Sequence, residues 1–181
     1  ALKPGSRDAA LLVELLPGAY TMVAASQTSG AGFALVEAYD ADGNRSGGGD
    51  RLVNIATRAR AGSGAAALIA GFVVSGSVPK QLLIRGVGPG LAQFGVEDVL
   101  SQTELSVFSG ERIIARNVGW GNAPEPAAIS AAAAKVGAFG LAARGADSAL
   151  LAFFPPGAYT AQLAGAGNSA GNALIEVYEV P

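Results

Sequence analysis

The phrase LPGAYT at residues 16–21 occurs again, almost unchanged, as PPGAYT at residues 155–160. A single copy would indicate only a turn, because Pro presets φ and Gly accepts positive φ at turn positions. The surroundings repeat as well: with a shift of 139 residues, Leu2–Asp40 aligns with Leu141–Glu179 without a gap. Repetition over this length indicates that one structural segment is present twice in the chain.

The repeated segment contains three short apolar runs separated by turn residues, which is typical of β-strands. Since Gly-rich turns join consecutive runs, we predict an antiparallel meander of three strands in each copy. The predicted strands are residues 10–16, 19–25 and 33–40 in the first copy, and residues 148–154, 158–164 and 172–179 in the second.

The sequence between the copies predicts a different set of elements. Residues 41–50 are rich in Gly, Asp, Asn and Ser and are predicted to be a linker. Further strands are predicted within residues 51–62, 66–76 and 80–88, followed by a hairpin over residues 104–117 that turns at SGE. The sequence as a whole predicts a mainly β protein: an antiparallel β-sandwich, jelly-roll or immunoglobulin-like, with one short helix near residues 124–139.

The composition narrows the classes of function. The chain has neither Cys nor His, so thiolate zinc sites, Cys nucleophiles and Ser-His-Asp triads are excluded. A net charge of −2 argues against nucleic-acid binding, and no apolar run approaches the length of a membrane span. Charged residues make up only 14% of the chain, which weakly favours packing against copies or neighbours. We predict no cofactor, no metal site and no enzymatic activity.

Several stretches of residues 51–181 resemble one unit of a tandem-repeat β domain found in large secreted and surface proteins of Verrucomicrobia and related environmental bacteria. The resemblance is carried by RLVNIATRARAGSG, LIAGFVVSG, PKQLLIRGVGPGLAQFGV and PPGAYTAQLAG followed by ALIEVYEV. It implies a secreted or cell-surface location, with residues 51–181 as a complete unit. Residues 1–40 would then be the second half of a preceding unit, joined through the linker at residues 41–50.

The family typically carries an Asn-Asp-Asn-Trp-like stretch, of which this sequence keeps only Asn117 and Trp120. A metal or sugar site at that place is therefore not expected. The residues considered for interaction are aromatic, and packing is favoured over a ligand platform for each of them. They are Trp120, Tyr20, Tyr39, Tyr159 and Tyr178.

Three further patterns are weighed against simpler interpretations. RGVGPG at residues 85–90 resembles a phosphate loop but lacks a Walker lysine, so a turn is favoured. DADGN at residues 40–44 resembles the start of a calcium loop, but Arg51 stands where the twelfth-position Glu is needed, so a linker is favoured. Candidate catalytic carboxylates form no recognisable pair, and the two that repeat are predicted to lie on a solvent or interface face. These carboxylates are Glu37, Glu176, Glu97, Asp98 and Glu104.

The half-repeat at residues 1–40 poses a packing problem, since three isolated strands would leave sheet edges and apolar area exposed. Either both copies pack into one pseudo-symmetric sandwich, or residues 1–40 complete the sheet of residues 51–117 and leave residues 140–181 to the next molecule. The predicted function is a structural extracellular protein whose copies or repeats join head to tail into a filament or surface layer. The alternative is a noncatalytic adhesion or carbohydrate-binding module, with a surface polysaccharide as partner.

Overall fold

A computed structural model of the chain describes residues 3–27, 32–41 and 51–181. The chain divides into two compact units, Ala1–Leu52 and Val53–Pro181. The second of these, called the sandwich unit below, contains every strand assigned among the described residues. Residues 42–50, which hold most of the predicted linker and most of DADGN, lie outside the described residues.

The sandwich unit has eight strands and one α-helix. The strands are β1 (Asn54–Ala61), β2 (Leu68–Val74), β3 (Lys80–Val87), β4 (Thr103–Ser109), β5 (Arg112–Val118), β6 (Ser148–Phe154), β7 (Gly157–Gly165) and β8 (Gly171–Glu179). The helix α1 is Pro126–Lys135, between β5 and β6.

The strands form two four-stranded sheets in which every pairing is antiparallel. Sheet one has the order β1-β8-β3-β6 and sheet two the order β2-β7-β4-β5. The predicted hairpin is confirmed as β4 and β5, which turn through Gly110 at a φ of 58°. The inner core, the apolar cluster between the two sheets, draws residues from both of them; Ile84, Val107, Leu163 and Ile175 lie at its centre. The fold class predicted from sequence, a mainly β sandwich with one short helix, is confirmed.

Sheet one is covered on its second face as well. Successive residues of a strand point to opposite faces, so Leu82 and Ile84 of β3 lie in the inner core while Leu83 points the other way. There Leu83 packs with Trp120 and with Ile129 of α1, and the cluster that they belong to is called the outer core. The strands β3, β6 and β8 of sheet one are thereby packed on both faces, whereas β1 stays mostly exposed.

The helix is shorter than predicted, Pro126–Lys135 rather than 124–139. It begins with Pro at its first position, where the missing amide hydrogen is not needed. It ends at Val136 because the next residue, Gly137, takes a φ of 71°, a left-handed conformation that stops a helix. Residues 138–141 continue along the outer core without helical structure.

The three strands of the second copy form as predicted, but the meander is wrong. β6 pairs with β3, β7 pairs with β2 and β4, and β8 pairs with β1 and β3, so no two of β6, β7 and β8 pair with each other. The chain instead crosses between the sheets at each turn. Every strand of this segment therefore depends on hydrogen-bond partners from residues 54–109.

The first copy forms none of its predicted strands among residues 3–27 and 32–41. The physical reason lies in the topology of the second copy, whose strands pair only with elements that have no counterpart in Ala1–Leu52. The predicted arrangement in which residues 1–40 complete the sheet of residues 51–117 is wrong, since β1 to β4 are completed by residues 148–179 of the same chain.

Candidate functional site: the buried Arg85 network

Arg85 and Glu176 form a buried ion pair in the middle of sheet one. They are register partners on β3 and β8, and Nε of Arg85 donates to Oε2 of Glu176 at 2.8 Å. The side chains are 1% and 6% exposed. The expectation that Glu176 lies on a solvent or interface face is wrong, because the outer core covers this face of the sheet.

The guanidinium of Arg85 makes two more contacts, both with Phe139 in the segment after α1. Nη1 donates to the carbonyl oxygen of Phe139 at 2.6 Å, and the guanidinium carbon lies 4.3 Å from the centre of the Phe139 ring. This stacking is favourable because the ring face is electron-rich. Nη2 is buried without a hydrogen-bond partner among the described residues. Arg85 thus ties β3 to β8 and to the chain that leaves α1.

Tyr178 extends the network along β8. Its hydroxyl donates to Oε1 of Glu176 at 2.7 Å, so both carboxylate oxygens of Glu176 are bonded. Burial raises the pKa of Tyr178 to about 12, and the hydrogen bond to Glu176 adds to the shift. At neutral pH the group is a fixed hydrogen-bond donor and has no role as a base.

Asp147 holds the Gly-rich turn after β3. Its Oδ1 accepts hydrogen bonds from the amides of Gly88 and Gly90, at 2.8 and 3.0 Å. The RGVGPG turn therefore directs these two amides to a carboxylate of its own chain. The two amides are thereby satisfied within the chain. Residues 85–87 of the predicted turn are the end of β3, and a short 3-10 helix, Pro89–Phe94, begins directly after Gly88.

A cleft of about 480 Å³ lies beside Asp147. Pro89, Gly90 and Gln93 form one wall, and Leu141 and neighbouring residues form the other. Asp147 itself is 1% exposed, and its Oδ2 has no hydrogen-bond partner among the described residues. The cleft thus has an apolar and backbone lining with one buried acceptor.

Trp120 is a packed residue of the outer core. It is 8% exposed, and its indole Nε1 donates to the carbonyl oxygen of Ala142 at 2.8 Å. One edge of the ring lines a second, smaller cleft of about 170 Å³, together with Arg85 and Ile129. Asn117 is buried too, and its Oδ1 accepts from the amide of Ala149. Both residues that match the family stretch fix β5 and the following turn against β6.

The four tyrosines do not form one surface. Tyr159 is half-buried and stacks on Phe72 with the ring centres 5.5 Å apart, whereas Tyr178 belongs to the Arg85 network. Tyr20 and Tyr39 are exposed and lie in Ala1–Leu52. No aromatic platform is assembled from these residues within the sandwich unit.

The other carboxylates make separate, exposed ion pairs or backbone contacts. Asp98 pairs with Arg60, and Oε1 of Glu104 lies 2.8 Å from Nη2 of Arg116. Glu97 contributes its backbone carbonyl to the side chain of Asn172. Within residues 3–27, 32–41 and 51–181, no group of three or more Asp or Glu side chains could hold a metal ion.

Sequence reasoning singled out neither Arg85 nor Asp147 as a site residue. A signal was present, since Asp147 and Glu176 both recur in the first copy, as Asp8 and Glu37. A charged residue that recurs in both copies of an apolar segment indicates that its side chain binds a specific partner. Here the partners of Asp147 and Glu176 lie in a part of the chain that does not repeat.

No protein-family model matches this sequence, and none of the curated proteins compared with it matches. Among solved structures, the chain is similar to the pre-peptidase C-terminal domain of a collagenase from Bacillus anthracis. The identity is 13% and the TM-score 0.41, over 69% of this chain and 89% of that domain. A likeness at this level carries no inference about function. In the part of the chain that the structure describes, no helix is long and apolar enough to cross a membrane.

Proposed function

We propose that this chain is part of a structural, noncatalytic protein of the cell exterior. Its β-sandwich units would be arrayed head to tail in a filament or surface layer. The observation that carries the proposal is the repeat itself. The segment that forms β6 to β8 in the second copy is already present at residues 2–40, ahead of a complete unit. A segment that can form sheet only with elements of another half-unit is suited to a repeating array.

The chemistry of the buried network is consistent with a structural role. Arg85, Glu176 and Tyr178 bond to one another across two strands, and Asp147 bonds to the backbone of a turn. Arg85 and Glu176 neutralise each other, and Asp147 fixes the backbone at the end of β3, which suits a role in holding the fold. A low charge density of 14% over the chain suits close packing of like units.

The test is electron microscopy of the native material together with its mass under dissociating conditions. Filaments or sheets that dissociate into a chain far larger than 17.9 kDa would support a covalent array, and filaments of chains near that mass would support assembly of separate subunits. Discrete particles that never associate would overturn the proposal.

A second candidate function, a noncatalytic carbohydrate-binding or adhesion module, is favoured by the cleft beside Asp147. The unpaired Oδ2 of this buried carboxylate is an acceptor that a sugar hydroxyl could use. Binding on a glycan array that is abolished by Asp147→Asn and kept by Trp120→Phe would support this function. Equal binding by both variants, or no binding at all, would contradict it.

A further inference from the structure

The first copy of the repeated segment keeps local contacts of the second, although residues 3–27 and 32–41 form no strand. The hydroxyl of Tyr20 donates to the carbonyl of Leu16 at 2.7 Å, and that of Tyr159 donates to the carbonyl of Pro155 at 2.8 Å. These are equivalent positions in the two copies. The turn before the second strand therefore has the same tyrosine bond in both.

The same agreement holds at the end of the segment. The hydroxyl of Tyr39 donates to Oε1 of Glu37 at 2.9 Å, as that of Tyr178 donates to Oε1 of Glu176 at 2.7 Å. The Glu37 bond raises the pKa of Tyr39 as well. Residues two apart share a face in extended backbone, so this bond is the one that a strand equivalent to β8 would make.

The core-facing positions of the first copy are apolar but exposed. In the sandwich unit the equivalent positions are at most 2% exposed, whereas here they are about half exposed. The pairs are Leu15 with Phe154, Met22 with Ala161, and Val36 with Ile175. At one outward position the second copy has an exposed side chain, Phe153, and the equivalent residue of the first copy is charged, Glu14. At these three inward positions the first copy thus carries apolar residues that a sandwich would bury.

The strand pairing of the sandwich unit shows which partners the repeated segment requires in order to form its three strands. Its three strands require β3 and β1 on one sheet and β2 and β4 on the other. Glu37 requires a cation placed as Arg85 is, and Asp8 requires turn amides placed as those of Gly88 and Gly90 are. All of these features belong to one half-unit, which corresponds to residues 51–140.

The half-unit of this same chain cannot serve, because its strands are already paired with β6, β7 and β8. In a second copy of the chain, the half-unit is already paired as well. If two copies exchanged second halves, the exchange would release as many strands as it pairs. The order along the sequence is second half, linker, first half, second half. In a tandem array with that order, a first half-unit stands directly ahead of each second half.

We propose that residues 3–41 are the second half of a further β-sandwich unit, completed by a first half-unit like residues 51–140 that precedes them in the same polypeptide. This inference rests on the proposed function, and it names the partner and the two polar contacts. Glu37 binds the partner's arginine at the position equivalent to Arg85, and Asp8 binds its Gly-rich turn.

The experiment extends the full chain by placing a copy of residues 51–140 directly ahead of Leu2, which reproduces the Gly140–Leu141 junction. Amide hydrogen exchange is compared between the chain as it stands and the extended chain. We expect residues 10–16, 19–25 and 33–40 to exchange rapidly in the former and at least about a hundredfold more slowly in the latter. Residues 53–181 serve as the internal standard, protected in both.

Two substitutions separate specific completion from nonspecific collapse. In the extended chain, Glu37→Gln and Gly32→Ala should each speed exchange across residues 10–40, because the equivalent Glu176 and Gly171 sit in tight places of the sandwich unit. In the chain without the extension neither change should alter exchange. Continued rapid exchange of residues 10–40 in the extended chain, beside a protected second unit, would overturn the inference. If residues 10–40 of the extended chain stay equally protected with either substitution, the proposed contacts are wrong.

The two proposals fail separately. If the native material forms an array while the extended chain leaves residues 10–40 unprotected, the completion inference is wrong and the array stands. If the extended chain folds into two units but native material shows only discrete particles, completion stands and the proposed filament or layer does not.

Discussion

Nε of Arg85 lies 2.8 Å from Oε2 of Glu176, and these two side chains are almost completely buried where β3 meets β8. A buried ion pair contributes little net stability compared with apolar residues of the same shape, but removing one partner leaves an uncompensated charge. The pair therefore acts less as a source of stability than as a condition for correct pairing of the two strands. A one-residue slip of β3 against β8 would turn Arg85 toward the inner core and leave Glu176 without its partner on the other face.

We expect Glu176→Gln to lower the free energy of unfolding of the sandwich unit by about 3 kcal/mol, because Arg85 would remain buried and charged without a counterion. Urea denaturation followed by tryptophan fluorescence measures the change. The matched control is Glu37→Gln at the equivalent position of the first copy, where the side chain is exposed and no effect is expected. Equal effects of the two substitutions would contradict the assignment of Arg85 to Glu176.

A substitution at Gly171 should lower the stability of the sandwich unit, whereas the same substitution at the equivalent residue of the first copy should not. A Cβ atom there would come within 2.6–2.7 Å of backbone atoms of Asp98, Val99 and Leu100, which cannot move aside as a side-chain end can. Gly171→Ala should therefore cost about 1 to 3 kcal/mol of stability, the range for an overpacked core position. Thermal unfolding measured by circular dichroism tests this.

The control for that substitution is Gly32→Ala, at the equivalent position of the first copy. A Cβ atom at Gly32 meets nothing within 4 Å. We expect no change in the unfolding temperature of the sandwich unit. A neutral Gly171→Ala variant would show that β8 lies farther from the segment before β4 than the structure places it.

Trp120 is the single tryptophan of the chain and lies in the outer core. Its emission should be that of a buried indole in the folded protein and shift to longer wavelength on unfolding. Trp120→Phe loses the bond to Ala142 and part of the packing, and should cost about 2 kcal/mol. Tyr20→Phe, which removes an exposed hydrogen bond, should change stability by less than about 0.5 kcal/mol. An emission maximum already at the solvent-exposed position in the folded protein would contradict the packing.

Tyr178 predicts a loss of stability at alkaline pH. The pKa of this phenol is raised from 10.0 to about 12 in the folded protein, chiefly by burial. Below pH 10 the group is protonated in the folded and unfolded states and has no effect on the pH dependence. Between pH 10 and pH 12 the unfolded chain ionises first, so stability falls as pH rises through this window.

The measurement is the unfolding free energy of the protein and of the Tyr178→Phe variant from pH 8 to pH 12. The variant should be less stable by about 1 kcal/mol at pH 8, because it lacks the hydrogen bond to Glu176. Above pH 10 its stability should fall less steeply than that of the unchanged protein. Parallel curves would show that Tyr178 ionises normally in the folded state.

Much of the fold could be predicted from local sequence. The strands at residues 80–88 and 148–154, the hairpin after residue 103 and the Pro-initiated helix follow from apolar runs, turn residues and Pro placement, and all are present. Strand pairing could not be predicted in the same way. The three runs of the repeated segment have the spacing of a meander, yet they alternate between the two sheets. The sequence does not distinguish these arrangements, because both bury the same inward-facing apolar positions.

The candidate site shows the same division. Recurrence of Glu37 as Glu176 and of Asp8 as Asp147 was readable in the sequence, but burial and partners were not. Arg85 lies 91 residues from Glu176, and only the register of β3 against β8 brings them together. A charge in an apolar strand has the same local appearance whether it faces solvent or a buried counterion.

The sequence by itself determined the strand segments, the repeat and the absence of Cys and His chemistry, since these depend on residue identity and short-range periodicity. Only the tertiary structure decided that the repeated segment is half of a sandwich and that its charges are buried. The reason is that each of its strands takes all its sheet hydrogen bonds from residues 54–109, which one copy has and the other lacks. The same 40-residue pattern therefore folds as three strands in the second copy, whereas residues 3–27 and 32–41 of the first copy form none.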